Sequence, residues 1–413
     1  MDKDEVLVNS YTHRKVIILI GDGMGDYPIA ELAHRTPLEA AHTPAMDYIA
    51  SHGVLGELLT VPQGFPPGSD VANLSLLGYR PEEVYTGRSP LEAASLGVDL
   101  EDGEIAFRCN LVTLEGNESS LKMVDYSGGH ISTDEARELI NALASRLNGD
   151  NLKLYPGISY RHLLVYRNDV SGLKTAPPHD YTGKDVTNFW QEYKHVPELM
   201  SFMEKSRKIL KDHPVNRQRQ ANGRLPANGT WLWGEGKAPD MMTLKEKYGL
   251  SGSLISAVDL LKGIGVYAGM DIVDVPGATG YLDTNYQGKV DAALHAIGSK
   301  DIVVVHVEAP DETGHQGDLK NKIRAIQEFD QNIVQPILNG IPKETDCRIV
   351  VCMDHFTPIH LRTHTSDAVP VAVYDSDSKN NNTSLTYNEK NGKSAELKFK
   401  NGEEFFQYII GEF

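Results

Sequence analysis

Hydrophobic positions in this chain come in short, dense runs. Val16 to Ile20 (VIILI), Ile302 to Val305 (IVVV) and Arg348-Ile-Val-Val-Cys352 are apolar and mostly β-branched at consecutive positions. A strand with one wet face alternates; a strand covered on both faces reads like this. Val369 to Tyr374 has the same texture, and Ser253–Ala257 followed by Val258–Gly265 reads as a strand running into a helix. Helical patterns separate the runs. Thr43-Pro44 is the cap and first residue of a helix to His52, with Gly53 as its stop. Leu319, Ile323, Ile326, Ile333 and Ile337 keep helical spacing up to Gly340. Buried strands alternating with helices predict an α/β fold with a central, mostly parallel sheet flanked by helices.

The texture changes near residue 101. Ile105–Leu114 and His162–Tyr166 read as strands, and Asp134–Leu147 as an amphipathic helix with Ala136, Leu139, Ile140, Leu143 and Leu147 on one side. Asp185–Asp212 is mostly helical, divided at Pro197, while Arg217–Asn228 is polar and loop-like. The first texture returns after Trp231. Ser376–Lys393 reads as a loose hairpin or loop, and a short helix closes the chain at Glu403–Ile410. A length of 413 residues is too great for one core. The expected organisation is a discontinuous catalytic domain, 1–100 with 230–413, and an inserted, smaller α+β domain, 101–229.

Lys plus Arg 40 against Asp plus Glu 57 gives a net charge of −17, which argues against nucleic acid or an anionic membrane as partner. A small anionic substrate fits, because a few arginines in a cleft set the local field. Three cysteines, Cys109, Cys347 and Cys352, give no disulfide framework and point to a reducing compartment. The N-terminal MDKDEVLVNSYTHRK lacks the apolar stretch of a signal peptide, and no run of about 18 apolar residues occurs. The expectation is a cytoplasmic protein, a monomer or small homo-oligomer.

Each dense run ends in an acid. Val16–Ile20 runs into Gly21-Asp-Gly-Met-Gly-Asp26, which presents carboxylates among its glycines where a dinucleotide fingerprint would cradle phosphate. Ile302–Val305 leads past Pro310 to Asp311-Glu-Thr-Gly-His315, an oxygen and a nitrogen ligand on one helix face, suited to a divalent metal. Arg348–Cys352 ends in Met353-Asp354-His355, and His364 follows in Arg362-Thr-His364. An open parallel sheet binds ligands at the carboxyl ends of its strands, so Asp22, Asp311, Asp354, His315, His355 and His364 are expected together, enough for two metals. The rigid Phe65-Pro-Pro-Gly68 loop delivers Ser69 to a helix start. Alone, Ser69 or Asp70 would read as a cap; beside metals, a serine at a helix N-terminus can carry a phosphate. This is the logic of phosphoryl transfer, with Ser69 as nucleophile. Candidate substrate-binding residues are Arg88, Arg108, Asn110, His130, Arg161 and Lys262, with Asp125, His179 and Lys184 as further polar positions. Arg108 and Arg161, in or beside strands, are the better placed for an anion.

Gly21-Asp-Gly-Met-Gly-Asp26, Pro67-Gly-Ser-Asp-Val-Ala-Asn73, Tyr85-Thr-Gly-Arg88, Asp311-x-x-x-His315, Met353-Asp-His355 and Arg362-Thr-His364 together resemble the archaeal-type cofactor-independent phosphoglycerate mutases of the alkaline phosphatase superfamily. The resemblance covers nearly the whole chain. It implies an alkaline-phosphatase-like core, interconversion of 2- and 3-phosphoglycerate through a phosphoserine at Ser69, and no bisphosphoglycerate cofactor. It also implies two divalent ions, manganese first, with zinc, cobalt or magnesium as alternatives. Asp311, His315 and His364 would hold one ion; Asp22, Asp354, His355 and Ser69 would hold the other. The chain departs from the pattern at Val124-Asp-Tyr-Ser-Gly-Gly-His-Ile131, where an arginine segment is usual, and at Ser89, where a glycine is usual. Such variants resemble a bacterial branch of proposed homoserine kinases, so a phosphotransferase of that kind is the alternative expectation.

Overall fold

The computed structural model describes residues 14–342, 345–376 and 383–411. The reading of the N-terminal segment and part of the expected 376–393 loop lie outside these. In chain order the strands are β1 (Lys15–Gly21), β2 (Val54–Leu58), β3 (Ile105–Asn117), β4 (Ser120–Asp125), β5 (Leu152–Ile158), β6 (Arg161–Tyr166), β7 (Gly229–Lys237), β8 (Gly252–Ile255), β9 (Asp271–Ile272), β10 (Ile302–Val307), β11 (Cys347–Cys352), β12 (Val369–Asp375) and β13 (Leu397–Phe399). The chain divides into two compact units, Met1–Tyr85 with Asp240–Phe413, and Thr86–Pro239.

The first unit is built on an eight-stranded sheet ordered β13-β2-β12-β11-β1-β10-β8-β9. The sheet is mostly parallel; β12 alone runs against its neighbours β11 and β2. The three dense runs are its centre, and β10 and β11 are buried at every position. Register matters more than order here. Ile20 of β1 pairs with His306 on one side and Cys352 on the other, so the three central strands end level. Asp22 and Glu308 follow immediately, and Asp354 one residue later.

Two helical expectations change in detail. The helix Pro44–His52 forms, but the Thr43 side chain makes no cap bond. Asp330 serves instead, its carboxylate accepting from Ala45 N at 3.2 Å and Met46 N at 2.7 Å. Asp330 is available because the run from Leu319 is not one uniform helix. It passes through a π-helical turn, Asp330–Val334, just before Pro336, whose ring and missing N–H disfavour a regular preceding turn. The 376–393 stretch, expected as loop, contains the start of a short helix, Glu389–Ser394, capped by Asn388.

The second unit is α+β: an antiparallel sheet ordered β4-β3-β6-β5, with β7 also on β3. Leu139, Ile140 and Leu143 of the helix Thr133–Leu147 and Leu199, Phe202 and Met203 of the helix Pro197–Lys211 share a core with Phe107, Leu111 and Trp231. Its limits fall at 86 and 239, where texture suggested 101 and 229. The added N-terminal stretch belongs here because Ser89 Oγ accepts from Arg108 N at 2.8 Å and donates to Gly234 O. Residues 217–228, expected as loop, are corrected in part. Pro214–Ala221 is a helix, and Arg219 is buried. Its polarity misled because every nitrogen is satisfied internally: Nε on Leu225 O, Nη1 on Glu135, Nη2 on Gly128 O. Among the described residues no helix is long and apolar enough to cross a membrane.

His162 of β6 gives this unit a pH dependence. It is buried, its Nδ1 accepts from Gly157 N at 3.0 Å, and Nε2 has no partner among the described residues. Burial pushes its pKa down to about 3. A folded pKa depressed below the unfolded value of about 6.5 contributes stability above pH 6.5 that is lost as pH falls toward 3. All three tryptophans, Trp190, Trp231 and Trp233, lie in this unit, so their fluorescence reports its unfolding. Denaturant unfolding followed by tryptophan emission is expected to lose about 1.4 kcal/mol per pH unit below 6.5, relative to His162→Gln. Parallel pH profiles for the two proteins would refute this.

Candidate active site

The level ends of β1, β10 and β11 place the acids. Asp22 follows β1 directly; Asp311 and His315 lie one turn apart on the helix Ala309–Gln316 after β10; Asp354 and His355 follow β11. Gly23 lets the first loop pass the second, with φ of +60°, and a Cβ there would stand 2.6 Å from Asp311 Oδ1. Lys322 ties the loops from beneath: wholly buried, it donates to Gly25 O at 3.0 Å, Asp26 Oδ2 at 3.1 Å and Thr357 O at 2.7 Å.

His315 Nε2 is 3.2 Å from Asp311 Oδ2 and 2.9 Å from His364 Nε2, and His364 Nε2 is 3.4 Å from Asp311 Oδ1. His355 Nε2 is 3.4 Å from Asp354 Oδ2 and 3.5 Å from Asp22 Oδ1. Ser69 opens the helix Ser69–Leu76, and its Oγ lies 3.2 Å from His355 Nε2. The structure therefore brings together all seven residues expected around the metals. By proximity of ligand atoms two groups of three stand out among the described residues: Asp311, His355 and His364, and Asp22 and Asp354 with His306, which was not among the seven.

The far side of each ring fixes its tautomer. His315 Nδ1 is 3.0 Å from Arg362 O, and His364 Nδ1 is 3.4 Å from Pro67 O. Carbonyls only accept, so both Nδ1 atoms carry hydrogen. Thr357 Oγ1 donates to Asp311 Oδ1 and so accepts from His355 Nδ1 at 3.2 Å. With a hydrogen anchored on the outer Nδ1 of each ring, Nε2 is the nitrogen that can turn a lone pair inward, the arrangement of metal-binding histidines. Asp354 is equally constrained. Its Oδ1 accepts from Gly23 N and His355 N, and its Oδ2 from Asn73 Nδ2, which also reaches Ser69 O.

Protons stand in for a cation here. Burial, then Asp354, Glu308 and Asp311, raise Asp22 well above the carboxylate range; burial and Asp311 push Glu308 up to about 8. Asp22 Oδ1 and Glu308 Oε2 are buried and accept no hydrogen bond among the described residues. On the other side, burial works against the Asp311 carboxylate but is outweighed by His315 and His364, which hold it well below its usual range. Burial likewise opposes charge on His315, yet Asp311 raises it to about 9. Removing an ion this size from water costs several kcal/mol when uncompensated, so four carboxyls sharing one buried place require protons or metal. Hard oxygens with inward imidazole nitrogens fit a divalent cation.

His306 and Glu308, Asn73, Thr357 and Lys322 are the functional neighbours that sequence reasoning missed. Only His306 carried a signal, as the one polar side chain within a six-residue buried strand. Lys262 is placed in the first unit, its Nζ donating to Asp274 at 2.6 Å. The other substrate candidates lie in the second unit. Arg108 is buried, its guanidinium 4.2 Å from the Trp233 ring centre and its Nε 3.0 Å from Glu92. Burial, with the like charges of Arg88 and Arg161 nearby, lowers it to about 10. Trp233 Nε1 donates to Asn110 Oδ1 at 3.1 Å. Arg161 and His130 are exposed, and His130 meets Tyr126 edge-on. Ser89, expected as a departure from the family pattern, spends its hydroxyl on backbone groups.

An α/β enzyme of the metal-assisted phosphoryl-transfer type is the class that this sheet edge and donor set define. The 2,3-bisphosphoglycerate-independent phosphoglycerate mutase model matches residues 50–216. A mutase of that name from Methanosarcina acetivorans is 51% identical over 93% of this chain and 96% of its own. A solved structure from Pyrococcus horikoshii superposes with a TM-score of 0.82 at 28% identity, covering 97% of this chain and 99% of that one. The cofactor-independent phosphoglycerate mutase of Thermoplasma acidophilum gives 0.65 at 28% identity over 96% and 99%. The chain belongs to the 2,3-bisphosphoglycerate-independent phosphoglycerate mutase family.

Because protons occupy the ligand set, divalent metal must displace them. Calorimetric titration with manganese in two buffers of different ionisation enthalpy is expected to show net proton release at pH 7 and weaker binding at pH 6. Affinity independent of pH would remove His315 and the Asp22–Glu308 pair from the metal centre.

Proposed function

We propose that this chain interconverts 2- and 3-phosphoglycerate through a phosphoserine at Ser69, without bisphosphoglycerate, using two divalent ions, manganese foremost. The observation that carries the reading is Ser69 Oγ at 3.2 Å from His355 Nε2, at the head of a buried carboxylate–imidazole cluster. Asp311, His315 and His364 are assigned to one ion, and Asp22, Asp354, His355 and Ser69 to the other. Bound cations would lower the pKa of the serine hydroxyl and offset phosphoryl charge.

The chain's own residues do the rest. Ser69 Oγ forms a bond to phosphorus as the substrate's C–O–P oxygen leaves, and the reverse step returns phosphorus to the other glycerate hydroxyl. Asn73 holds Ser69 through its carbonyl and Asp354 through Oδ2, keeping nucleophile and ligand in register. Arg88, Arg108 and Arg161 are assigned to the substrate's anionic groups, with Asn110 and His130 beside them; Lys262 is the weakest candidate, being paired with Asp274. A net charge of −17 and three free, buried cysteines support a cytoplasmic enzyme whose partner is a small phosphorylated molecule.

A coupled assay with manganese and 3-phosphoglycerate tests the reaction. Ser69→Ala is expected to lose about 10⁴-fold or more of kcat and to take up no phosphate label. Turnover surviving in Ser69→Ala would exclude the phosphoserine route. Arg108→Ala is expected to raise KM about 10- to 100-fold, the worth of a charged hydrogen bond of ~1.5–3 kcal/mol. An unchanged KM would take Arg108 out of the substrate site.

A further inference from the structure

His306 interrupts the apolar strand β10, and it is wholly buried. With Asp22 and Asp354 it forms a group close enough to share an ion. Its hydrogen bonds describe a different task. Ser256 stands just past β8, the parallel neighbour of β10. Its Oγ accepts from Val258 N at 3.0 Å and lies 3.2 Å from His306 Nδ1. Among the described residues that nitrogen is the acceptor available to the serine hydrogen. Nδ1 is then the accepting nitrogen, and the imidazole hydrogen sits on Nε2. Nε2 is 2.9 Å from Asp22 Oδ2.

The opposite tautomer fails once Asp22 is ionised. It would set two lone pairs face to face and leave the serine hydrogen without an acceptor. The chain of donors therefore runs Val258 N–H, Ser256 O–H, His306 Nε2–H, Asp22 Oδ2. Asp22 Oδ1 is left accepting nothing, 3.5 Å from His355 Nε2. Lys289 Nζ, donating to His306 O at 2.7 Å, fixes the strand end that carries the ring. The contrast with His315, His355 and His364 is direct. Those rings anchor a hydrogen on the outer Nδ1, so Nε2 is the nitrogen that can be vacated for a cation; in His306 it is Nε2 that keeps the hydrogen.

We infer that His306 is a positioning residue: together with Ser256 it holds Asp22 by Oδ2, so that Oδ1 is the oxygen presented to the cation. The inference rests on the metal-dependent reading above. Manganese affinity and stoichiometry of the full chain, measured calorimetrically beside metal-free thermal melts, test it. Ser256→Ala and His306→Ala are each expected to weaken binding of one ion about 10- to 100-fold with the number of ions unchanged. His306→Gln, whose amide N–H reaches the place of the Nε2 hydrogen, is expected to recover most of that affinity. If His306→Ala does not fold, Ser256→Ala and His306→Gln carry the comparison. Loss of a whole ion in His306→Ala, with Ser256→Ala at wild-type affinity, would make His306 a ligand and overturn the inference. Variants that all bind as wild type would overturn it while leaving the metal reading standing. A wild-type chain that binds no manganese would overturn both.

Discussion

The structure depends on like charges forced together. β1, β10 and β11 end level, and the chain continues from each into a carboxylate, so Asp22, Glu308, Asp311 and Asp354 meet where water is excluded. Nothing in the packing of the sheet asks for this; apolar residues at the same positions would cost less. The surrounding architecture reads as its containment. Backbone N–H groups and Asn73 take up Asp354, Thr357 and two imidazoles take up Asp311, and His306 takes one oxygen of Asp22. What remains unsatisfied, Asp22 Oδ1 and Glu308 Oε2, is the share left for a cation or a proton.

The asymmetry between the two halves of the cluster follows from their neighbours. Asp311 faces imidazoles, which hold it below the usual carboxylate range; burial and neighbouring carboxyls raise Asp22 above it. Without a cation the cluster thus favours a proton on each side by different means, on His315 at one and within the Asp22–Glu308 pair at the other. Electrostatics of the second unit run the other way. Burial, with Arg88 and Arg161 nearby, lowers Arg108, while Glu92 and the Trp233 face hold it in place. A chain of net charge −17 nevertheless gathers three arginines within this unit.

Legibility in the sequence divided along physical lines. The central strands announced themselves because burial on both faces demands consecutive apolar residues, and the acids at their ends were found because strand ends are where such sheets bind ligands. Short edge strands such as β9 and β13 leave no such trace, and β5 carries Pro156 and Gly157 within it. Helical residues 214–221 were hidden by polarity that folding satisfies internally, as the buried Arg219 demonstrates. The residues expected to face metal were legible as one cluster; the groups that orient them were not. Thr357, Asn73 and Lys322 act across 35 to nearly 300 positions of sequence, and no local pattern encodes such a partner.

Ser89 shows the converse limit, where sequence offers a signal that structure dissolves. A serine beside Arg88, where the resemblance leads one to expect glycine, reads in sequence as a change in substrate choice. In the fold its hydroxyl donates to Gly234 O and accepts from Arg108 N, so it staples the helix start to β3 and the strand bearing Trp233. The serine thereby holds the backbone of Arg108 while leaving its guanidinium free to lie on the indole. A residue at a motif position alters chemistry only if its side chain points at the reacting partner; turned onto the backbone, it alters stiffness. The same distinction separates His306 from the other three histidines, and it is drawn by which ring nitrogen carries the hydrogen, a fact that no sequence states and a hydrogen-bond network does.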